Sequence, residues 1–524
     1  MLRLFLQSIR RALGGRRAPA ADAAAFAAAG ADFAAGRLDR ARAAYEALLQ
    51  THPDHAEALF RLGVIYGSSG LYGQADAVLA RAEQAEPHSV DIRNARANVA
   101  WLQSDWAEAE RLFRLALEVA PHNVTVWANF ALCLHDAGRL PDALAAAERA
   151  LELDPAHPDA LVNAALVRLD MGETGMANQY VQRALAVAPA FPEAHMFHAQ
   201  CLLRDRRYAE GWREYEWRFR CADGRFRENA ALASWEGTPE PARRVLVYAE
   251  QGLGDQIMFA SCLNDLAERA VHGEVECDAR LARLFARSFP RMRIHAQQPD
   301  LARPWADVPP ASACQIHLGS LPRLFRSDAR QFARPPGYLK ADPLKAAAWA
   351  DRVAALGTGL KVGVAWRGGV PRTRQAMRSI PLAKWLPLLR LPGVHFVSLQ
   401  NGSVEQELTE FCRREGVTVA CWPQATEDLD EMAALISSLD LVISVCGTVV
   451  HLAGAMGRPT RVLVPSCPEW RYGGAGEPMP WYASVRLFRQ ATPGDWQAPV
   501  QAIARQLALA TQQPRGSQPT DRKK

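Results

Sequence analysis

The sequence predicts an all-helical repeat solenoid followed by an α/β unit made of two parallel-sheet domains. The first observation is a proline that returns every 34 residues, at Pro53, Pro87, Pro121, Pro155 and Pro189. The second is a change of pattern near Arg244, after which short β-rich runs alternate with helical stretches, as in parallel sheets with helical crossovers. This alternation occurs as two series in tandem, which predicts two facing domains with a cleft between them.

Composition agrees with several ordinary globular units. A chain of 524 residues is too long for a single core. Its net charge of +5 is mild for that length, which argues against nucleic acid as a partner. The ten cysteines include no zinc-type spacing, so we expect reduced thiols in a cytoplasmic protein. No run approaches the roughly 20 apolar residues of a membrane span, and we expect no transmembrane segment.

These patterns divide the chain into six predicted segments. They are a basic N-terminal segment (1–21), six helical repeat units (22–225), a linker (226–243), a first Rossmann-like domain (244–345), a second Rossmann-like domain with a closing helix (346–510) and a disordered tail (511–524). The basic start is either a solvated helix or a segment that touches a membrane surface.

Small residues recur in phase with the prolines, where paired helices must approach closely. They are Ala29, Gly63, Ala97, Ala131, Ala165 and Ala199 in the first helices, and Ala41, Ala75, Ala109, Ala143 and Ala177 in the second. The pattern resembles the tetratricopeptide repeat (TPR) family. The resemblance implies a superhelix whose groove binds peptide segments.

In this family the first helix of each unit lines the groove. The resemblance therefore implies five groove residues, namely Asn94, Asn98, Trp101, Asn129 and Asn163. Asn129 and Asn163 are equivalent positions one repeat apart, and amides in register can clamp a peptide backbone through paired donors and acceptors. A solvated helix surface is the alternative interpretation.

The last repeat ends in GWREYEWRFR, which we interpret as a cap that docks on the next domain. Trp212, Trp217 and Trp235 are then expected to be interface anchors. His195 and His198 have the i, i+3 spacing of metal ligands, but they occupy packing positions of the repeat. We expect them to pack in the core.

Two strand-to-helix turns of the α/β part attract attention. In GLGDQI the third glycine of a dinucleotide fingerprint is replaced by Ile257, so that fingerprint fails. What remains is Gly252, Gly254 and Asp255 at the carboxyl edge of a strand, where open α/β sheets bind ligands. The stretch SVCGTVVHLAGAMGRP starts a second helix at Thr448, where backbone N–H groups can hold a phosphate.

The order of landmarks resembles bacterial proteins that fuse TPR units to a heptosyltransferase-like glycosyltransferase of the two-Rossmann (GT-B) type. These proteins are related in architecture to the O-linked N-acetylglucosamine transferases. The matching stretches are GWREYEWRF, EQGLGDQIMFA, KVGVAW, RSIPLAKW, FVSLQ, DLVISV, HLAGAMGRP and PWYASVRLFRQ. Together they span nearly the whole second half of the chain.

The resemblance implies an inverting transfer of sugar from a nucleotide donor. Asp255 matches the catalytic base of heptosyltransferases, with helix capping as its alternative role. Arg378, preceded by Arg372 and Arg374, could clamp the diphosphate, and a solvated basic loop is the alternative. Gly252 and Gly254 complete the first turn.

Further donor contacts are implied in the second domain. Gly447 and Thr448 begin the candidate phosphate helix, and His451 matches a histidine of the family that could bond the donor. A histidine hydrogen-bonded inside the protein is the competing view. Gln400, at the end of the FVSLQ strand, could meet the base or ribose.

The expected chemistry needs no metal and no cofactor beyond the nucleotide sugar as substrate. The D-x-D in TEDLDEM is interpreted as a helix cap. The expected acceptor is a Ser or Thr hydroxyl of a protein held by the TPR groove, with flagellin or another surface protein suggested by analogy. The alternatives are a non-enzymatic TPR scaffold with a degenerate transferase domain, or a transferase acting on a lipid-linked or lipopolysaccharide glycan.

One departure from the family pattern removes an acid that relatives have near the donor sugar. Related sequences carry Asp-Thr where this chain has Cys446-Gly447. The acid near the donor sugar is therefore missing. A thiolate at a helix start is stabilised, yet a packed thiol is the interpretation we favour for Cys446, because inversion needs no covalent step.

Overall fold

The computed structural model describes residues 23–221, 229, 231–298, 304–332, 337–369 and 375–512. The predicted basic segment, Arg372, Arg374 and the chain beyond Gln512 lie outside these residues. The chain divides into two compact units. One comprises Met1–His198 with Trp217–Arg225, and the other comprises Ala199–Glu216 with Phe226–Lys524.

Within the described residues, twelve helices form six successive pairs in the repeat region. They are α1 (Ala23–Ala34), α2 (Leu38–Thr51), α3 (Ala56–Ser68), α4 (Tyr72–Ala85), α5 (Val90–Leu102), α6 (Trp106–Val119), α7 (Val124–Asp136), α8 (Leu140–Leu153), α9 (Pro158–Asp170), α10 (Thr174–Val187), α11 (Pro192–Arg204) and α12 (Tyr208–Tyr215). The small residues predicted to lie between paired helices are buried, as Ala97, Ala109 and Ala131 show with no exposed surface.

The turn inside each helix pair contains one residue with left-handed backbone. These residues recur at the 34-residue period as Gly36, Gly70, Ser104, Gly138, Gly172 and Arg206, with φ between 63° and 86°. Glycine adopts this region without steric cost, whereas a Cβ is strained there. Ser104 and Arg206 therefore fill a glycine position.

The first sheet of the α/β part is wholly parallel. Its strands are β1 (Ala233–Ser234), β2 (Glu240–Tyr248), β3 (Ala270–Cys277), β4 (Met292–Ala296) and β5 (Ala313–His317), in the order β1-β5-β2-β3-β4. Its helices are α13 (Leu253–Phe259), α14 (Leu263–Arg269), α15 (Ala282–Ser288) and α16 (Leu321–Phe325).

The segment 226–243 was predicted to be a linker, and the structure corrects this. Strand β1 lies inside it and pairs with β5, with Ala233 opposite Cys314. Strand β2 also starts there, at Glu240 rather than Arg244. Trp235 is 1% exposed and its indole N–H donates to Thr238 O at 2.8 Å. The described residues of this segment therefore include the edge strand β1 and the start of the central strand β2.

The second sheet is also parallel. Its strands are β6 (Leu360–Ala365), β7 (Val394–Ser398), β8 (Val419–Ala420), β9 (Leu441–Val445), β10 (Thr460–Val464) and β11 (Val485–Arg489). The accompanying helices are α17 (Pro343–Ala354), α18 (Leu386–Leu389), α19 (Glu405–Glu415), α20 (Pro423–Glu427), α21 (Leu429–Ser437), α22 (Thr448–Ala455) and α23 (Gln497–Gln512).

Two predicted boundaries shift. The predicted boundary at residue 345 falls inside α17. Trp349 Nε1 of this helix donates to Glu431 of α21 at 2.8 Å, so α17 belongs to the second α/β domain. The predicted tail from residue 511 overlaps α23, which continues to Gln512. Among the helices described, none is long and apolar enough to cross a membrane.

The strand order places two crevices. The second sheet runs β11-β10-β9-β6-β7-β8. This is the order of doubly wound folds, in which the strand order reverses between β6 and β9 while all strands stay parallel. The first sheet reverses in the same way between β2 and β5. Ligands of such sheets bind at the carboxyl ends of the strands flanking the reversal. The turns after β2 and β9 are the two turns singled out in the sequence.

Candidate functional site

The turn after β2 is shaped by strained backbone and a buried acid. Gln251 has a φ of +62°, a conformation that a non-glycine residue adopts only when its surroundings enforce it. Glu250, 7% exposed, accepts a hydrogen bond from Gly319 N at 2.7 Å. Since Gly319 follows β5, this contact ties together the two strand ends at the reversal. It fixes the start of α13, where Asp255 lies.

Asp255 pairs with an arginine contributed by the loop after β10. Arg471 Nη1 lies 2.5 Å from Asp255 Oδ1, and their side chains are 14% and 16% exposed. Arg471 lies in the 3₁₀ helix Trp470–Tyr472, 216 residues further along the chain. A residue of the first sheet and a residue of the second therefore meet at one ion pair.

The ion pair continues to a second arginine. Glu469 Oε2 lies 3.0 Å from Arg471 Nε, and Glu469 Oε1 accepts from Arg378 Nη1 at 2.5 Å. Arg378 ends the 3₁₀ helix Gln375–Arg378. We call Asp255, Arg471, Glu469 and Arg378 the ionic cluster. It holds two carboxylates and two guanidiniums, so its formal charges balance.

Burial shifts the protonation of this cluster. It raises the pKa of the Asp255 carboxyl above its usual value, although Arg471 opposes the shift. Burial works against the charged form of Arg471 as well, yet Asp255 and Glu469 raise its pKa. Arginine stays charged in proteins, so Asp255 lies beside a fixed cation while desolvation increases its basicity.

At the turn after β9, the backbone of the loop after β6 packs closely against Cys446. A Cβ on Gly368, in the loop after β6, would lie 2.1 Å from Cys446 O, so glycine is needed there for close approach. Gly447 itself is extended, with φ −179°, and a Cβ on it would lie 3.8 Å from Gly368 Cα. The close backbone approach at this turn is therefore between Gly368 and Cys446, whereas a Cβ at position 447 would make only ordinary contact.

Cys446 is a packed thiol, as we expected. It is 1% exposed and its Sγ lies 3.9 Å from Leu463 O. Burial raises the pKa of this thiol to about 12, so it is not a nucleophile at neutral pH. Thr448, two residues further along the chain, is partly exposed at the start of α22.

His451 was predicted to contact the donor, and the structure gives it an internal role. It is 3% exposed, and its Nδ1 lies 3.0 Å from Tyr482 Oη. Its ring packs on Gly254, where a Cβ would lie 3.0 Å from His451 Cδ2. Burial, with the nearby Arg471, holds the pKa of His451 well below its ordinary value. A neutral imidazole therefore fastens α22 to the turn that carries Asp255.

Gln400, another predicted donor contact, is also used internally. It is 5% exposed, and its Oε1 accepts from Trp366 N at 3.0 Å and from Arg367 N at 2.7 Å. The side chain thus closes the backbone after β6 against the end of β7. A polar residue at a strand end satisfied backbone donors that would otherwise be buried without partners.

The predicted peptide-binding residues are buried between repeats, which corrects the groove assignment. Asn94, Asn98, Trp101, Asn129 and Asn163 are between 1% and 6% exposed. Asn129 Nδ2 donates to Asn94 Oδ1 at 3.1 Å, and Asn163 Nδ2 donates to Ala128 O at 2.9 Å. The indole of Trp101 donates to Asp136 Oδ2 at 3.1 Å. These side chains join the first helices of successive repeats.

Other candidates take structural roles. Asp428 of the D-x-D caps α21 by accepting from Asp430 N at 2.7 Å, which confirms the capping interpretation. His195 Nε2 lies 2.8 Å from Pro189 O, and its ring stacks on Trp217 at 3.7 Å. Trp212 donates to Arg326 O at 2.9 Å within the α/β unit.

Sequence reasoning missed two members of the ionic cluster. Glu469 stands directly before the segment WRYGGAGEPMPWY, Arg471 stands inside it, and Glu477 is the one acid within it. Glu477 is exposed. A charged Glu-Trp-Arg triplet after the β10 strand was the available signal.

Family models assign the helical repeats. Two models described as tetratricopeptide repeat match the chain, one over residues 32–99 and 134–201 and the other over residues 94–158. Residues 32–201 are therefore TPR units.

A curated protein is similar over a longer stretch. Protein FlbA of Caulobacter vibrioides is 33% identical over 324 residues, covering 59% of this chain and 54% of the relative. The chain thus spans about half the length of that relative. A match of this length exceeds the repeat region, so it includes part of the α/β unit.

Solved structures share the repeats at low similarity. A thermophilic TPR protein of Thermus thermophilus is 22% identical with a TM-score of 0.32, covering 34% of this chain and 97% of its own. PilF of Pseudomonas aeruginosa is 22% identical with a TM-score of 0.31, covering 45% and 92%. At these scores neither adds to the assignment made by the family models.

Proposed function

We propose that the α/β unit is an inverting glycosyltransferase that uses a nucleotide-sugar donor. The observation that carries this proposal is the ionic cluster, in which the acid after β2 pairs with Arg471, and Glu469 links Arg471 to Arg378. The loops that carry these residues follow the carboxyl ends of strands. Doubly wound folds bind nucleotides at such strand ends, next to the point where the strand order reverses.

The cluster supplies the groups that such a transfer needs. The acceptor hydroxyl oxygen attacks the anomeric carbon while its proton passes to the Asp255 carboxylate. The bond from that carbon to the diphosphate oxygen breaks, and the electron pair leaves with the diphosphate. Asp255 acts as general base, and the guanidiniums of Arg378 and Arg471 stabilise the departing charge without a metal ion.

The acceptor that fits this chain is a protein Ser or Thr hydroxyl. TPR superhelices offer extended concave surfaces to protein partners, and this chain joins such repeats to the proposed transferase. Because Asn94, Asn129 and Asn163 are bonded between helices and Asn98 is buried, we propose that other groups of the repeats hold the acceptor. A bacterial surface protein such as flagellin is the acceptor class suggested by analogy with repeat-fused transferases.

The proposal is tested by mass spectrometry of acceptor proteins. Purified full-length protein is incubated with a panel of nucleotide sugars and a lysate of cells that lack it. Asp255→Asn should reduce the transfer rate by about 10²- to 10⁴-fold, the usual contribution of a general base. Asp328→Asn is the control, since Asp328 is 45% exposed and pairs with Arg330. Transfer that survives Asp255→Asn, or no mass shift with any donor, would contradict the proposal.

A non-enzymatic scaffold is the second candidate, and one observation favours it. His451 and Gln400, two of the residues expected to contact the donor, are committed to hydrogen bonds within the protein. On this view the α/β unit binds a nucleotide without turnover. Calorimetry with nucleoside diphosphates separates the two, because nucleotide binding that never leads to sugar transfer or donor hydrolysis supports the scaffold. Labelling of a purified glycan acceptor in the absence of protein would instead favour transfer to a lipid-linked or lipopolysaccharide glycan.

A further inference from the structure

Glu469 bridges two arginines that come from different loops. Its Oε1 accepts from Arg378 Nη1 at 2.5 Å, and its Oε2 lies 3.0 Å from Arg471 Nε. Each carboxylate oxygen thus engages one guanidinium. Two guanidiniums converging on the oxygens of one anion is also the way in which arginines bind phosphate.

The exposure of the three side chains differs in an informative way. Arg378 and Arg471 are 11% and 14% exposed, whereas Glu469 is 35% exposed. The cations are therefore enclosed by the protein, and the anion between them is the member that faces solvent.

We infer that Arg378 and Arg471 form a phosphate-binding pair and that Glu469 competes with the phosphate for it. This inference rests on the proposed function, because it names the groups that hold the diphosphate and adds a competitor built into the chain. A ligand phosphate takes the place of the Glu469 carboxylate on both guanidiniums. The binding free energy is then reduced by the cost of displacing Glu469.

Replacing Glu469 by a phosphate leaves the contact between Arg471 and the proposed general base, Asp255, in place. Arg471 Nη1 donates to Asp255, whereas Arg471 Nε lies 3.0 Å from Glu469 Oε2 as an ion pair without hydrogen-bond geometry. A phosphate that replaces Glu469 at Nε therefore becomes linked to Asp255 through a single guanidinium. Arg471 acts as a positioning residue, which holds the acid and the phosphate at a fixed separation.

Isothermal titration of the full-length protein with inorganic pyrophosphate tests the inference. Pyrophosphate carries neither nucleobase nor sugar, so it reports on the phosphate contacts of the site, and the Arg378 and Glu469 variants isolate the share of the arginine pair. If Glu469 occupies the pair about nine-tenths of the time, Glu469→Gln should bind pyrophosphate about tenfold more tightly than the native protein, because apparent affinity scales with the competent fraction. Arg378→Gln should weaken binding at least tenfold.

Glu477→Gln is the matched control, since Glu477 is an exposed acid of the same loop. It removes the same charge eight residues away and should leave the affinity unchanged. Glu469→Asp keeps the charge but is one methylene too short to bridge both guanidiniums, so it should give an intermediate gain. If Glu469→Gln does not fold, the comparison of Glu469→Asp with Glu477→Gln decides.

The outcomes separate this inference from the proposed function. Glu469→Gln that binds pyrophosphate no more tightly than the native protein overturns the competition, while sugar transfer by the native protein would still support the transferase. A gain equal to that of Glu477→Gln also overturns it, because it would reflect only the loss of a nearby charge. A gain specific to position 469 without sugar transfer from any donor supports the inference and contradicts the transferase.

Discussion

The ring of His451 packs directly on Gly254, so that a Cβ at position 254 would lie 3.0 Å from His451 Cδ2. Gly254→Ala should therefore push the imidazole away from Tyr482 and destabilise the α/β unit by about 1–3 kcal/mol, as overpacking does. Urea denaturation followed by tryptophan fluorescence measures this. Gly73→Ala is the control, since a Cβ there meets nothing within 4 Å, and it should be neutral or slightly stabilising. Equal effects of the two changes would contradict the packing argument.

His451 should make stability depend on pH in a defined window. Its pKa is lowered by burial from an ordinary value of 6.5, so below that pH the unfolded chain binds a proton that the folded chain refuses. Its contribution is therefore fully present above about pH 6.5 and is lost as the pH falls, by at most about 1.4 kcal/mol per pH unit.

His451→Gln, a neutral residue, isolates this effect. The variant should lose less stability than the native protein between pH 7.5 and pH 5.5, as measured by urea midpoints. Replacing the exposed His88 by glutamine should leave the pH profile unchanged. Parallel profiles for the native protein and His451→Gln would show that the histidine accepts a proton without cost.

Ser104 occupies a left-handed turn position, with φ +64°. Ser104→Gly should stabilise the repeats by about 0.5–1 kcal/mol because the strain of a Cβ is removed. Gly70→Ser should do the reverse at the equivalent turn, where a Cβ has open space around it but the backbone has φ +78°. Thermal unfolding monitored by circular dichroism checks both, and a change of the same sign in the two variants would refute the argument.

The buried amides of the repeats should respond differently to substitution. Asn129→Ala leaves Asn94 without the bond it accepts at 3.1 Å, and it should cost about 1–3 kcal/mol. Asn98 is 1% exposed, and its side-chain amide has no partner in the described part of the chain. Asn98→Leu should therefore be neutral or stabilising. Chemical denaturation decides, and a large loss for Asn98→Leu would show that this amide has a role the packing does not reveal.

Cys446 should resist alkylation. Its thiol has a pKa raised by burial to about 12 and is 1% exposed, so iodoacetamide at pH 8 should modify it after the partly exposed Cys412 and Cys421. Peptide mass spectrometry over time gives the order. If Cys446 were labelled before Cys412 and Cys421, the result would contradict the packed thiol and support a role for Cys446 as a nucleophile.

The repeats could be predicted from the sequence because residues close together in the chain define their period. The prolines and small residues recur every 34 positions, and the small residues pack between paired helices of the same or neighbouring repeats. The strand-to-helix alternation similarly located the two turns at the sheet reversals. Local patterns thus identified the elements and the place of a site.

Side-chain partners were less predictable because they come from distant parts of the chain. Asp255 and Arg471 are 216 residues apart, and no local pattern pairs them. Gln400 and His451 were placed at the correct strand end and helix, but whether a polar group there faces a ligand or a backbone donor depends on the loop packed against it. The asparagine amides were assigned to an open surface because sequence gives the repeat position without the tilt between helices.

The short strand β1 has a practical consequence. It covers the outer edge of β5, with Ser234 opposite Gln315 and Trp235 N donating to Gln315 O at 2.7 Å. An α/β fragment that begins at Arg244 would expose the unpaired backbone of β5, and exposed sheet edges pair with other molecules. Such a fragment should aggregate, whereas one that begins at Ala199 retains the edge strand, the buried Trp235 and the Trp212 bond to Arg326 O. The choice of N-terminus thus decides whether the α/β unit can be handled alone as a monomer.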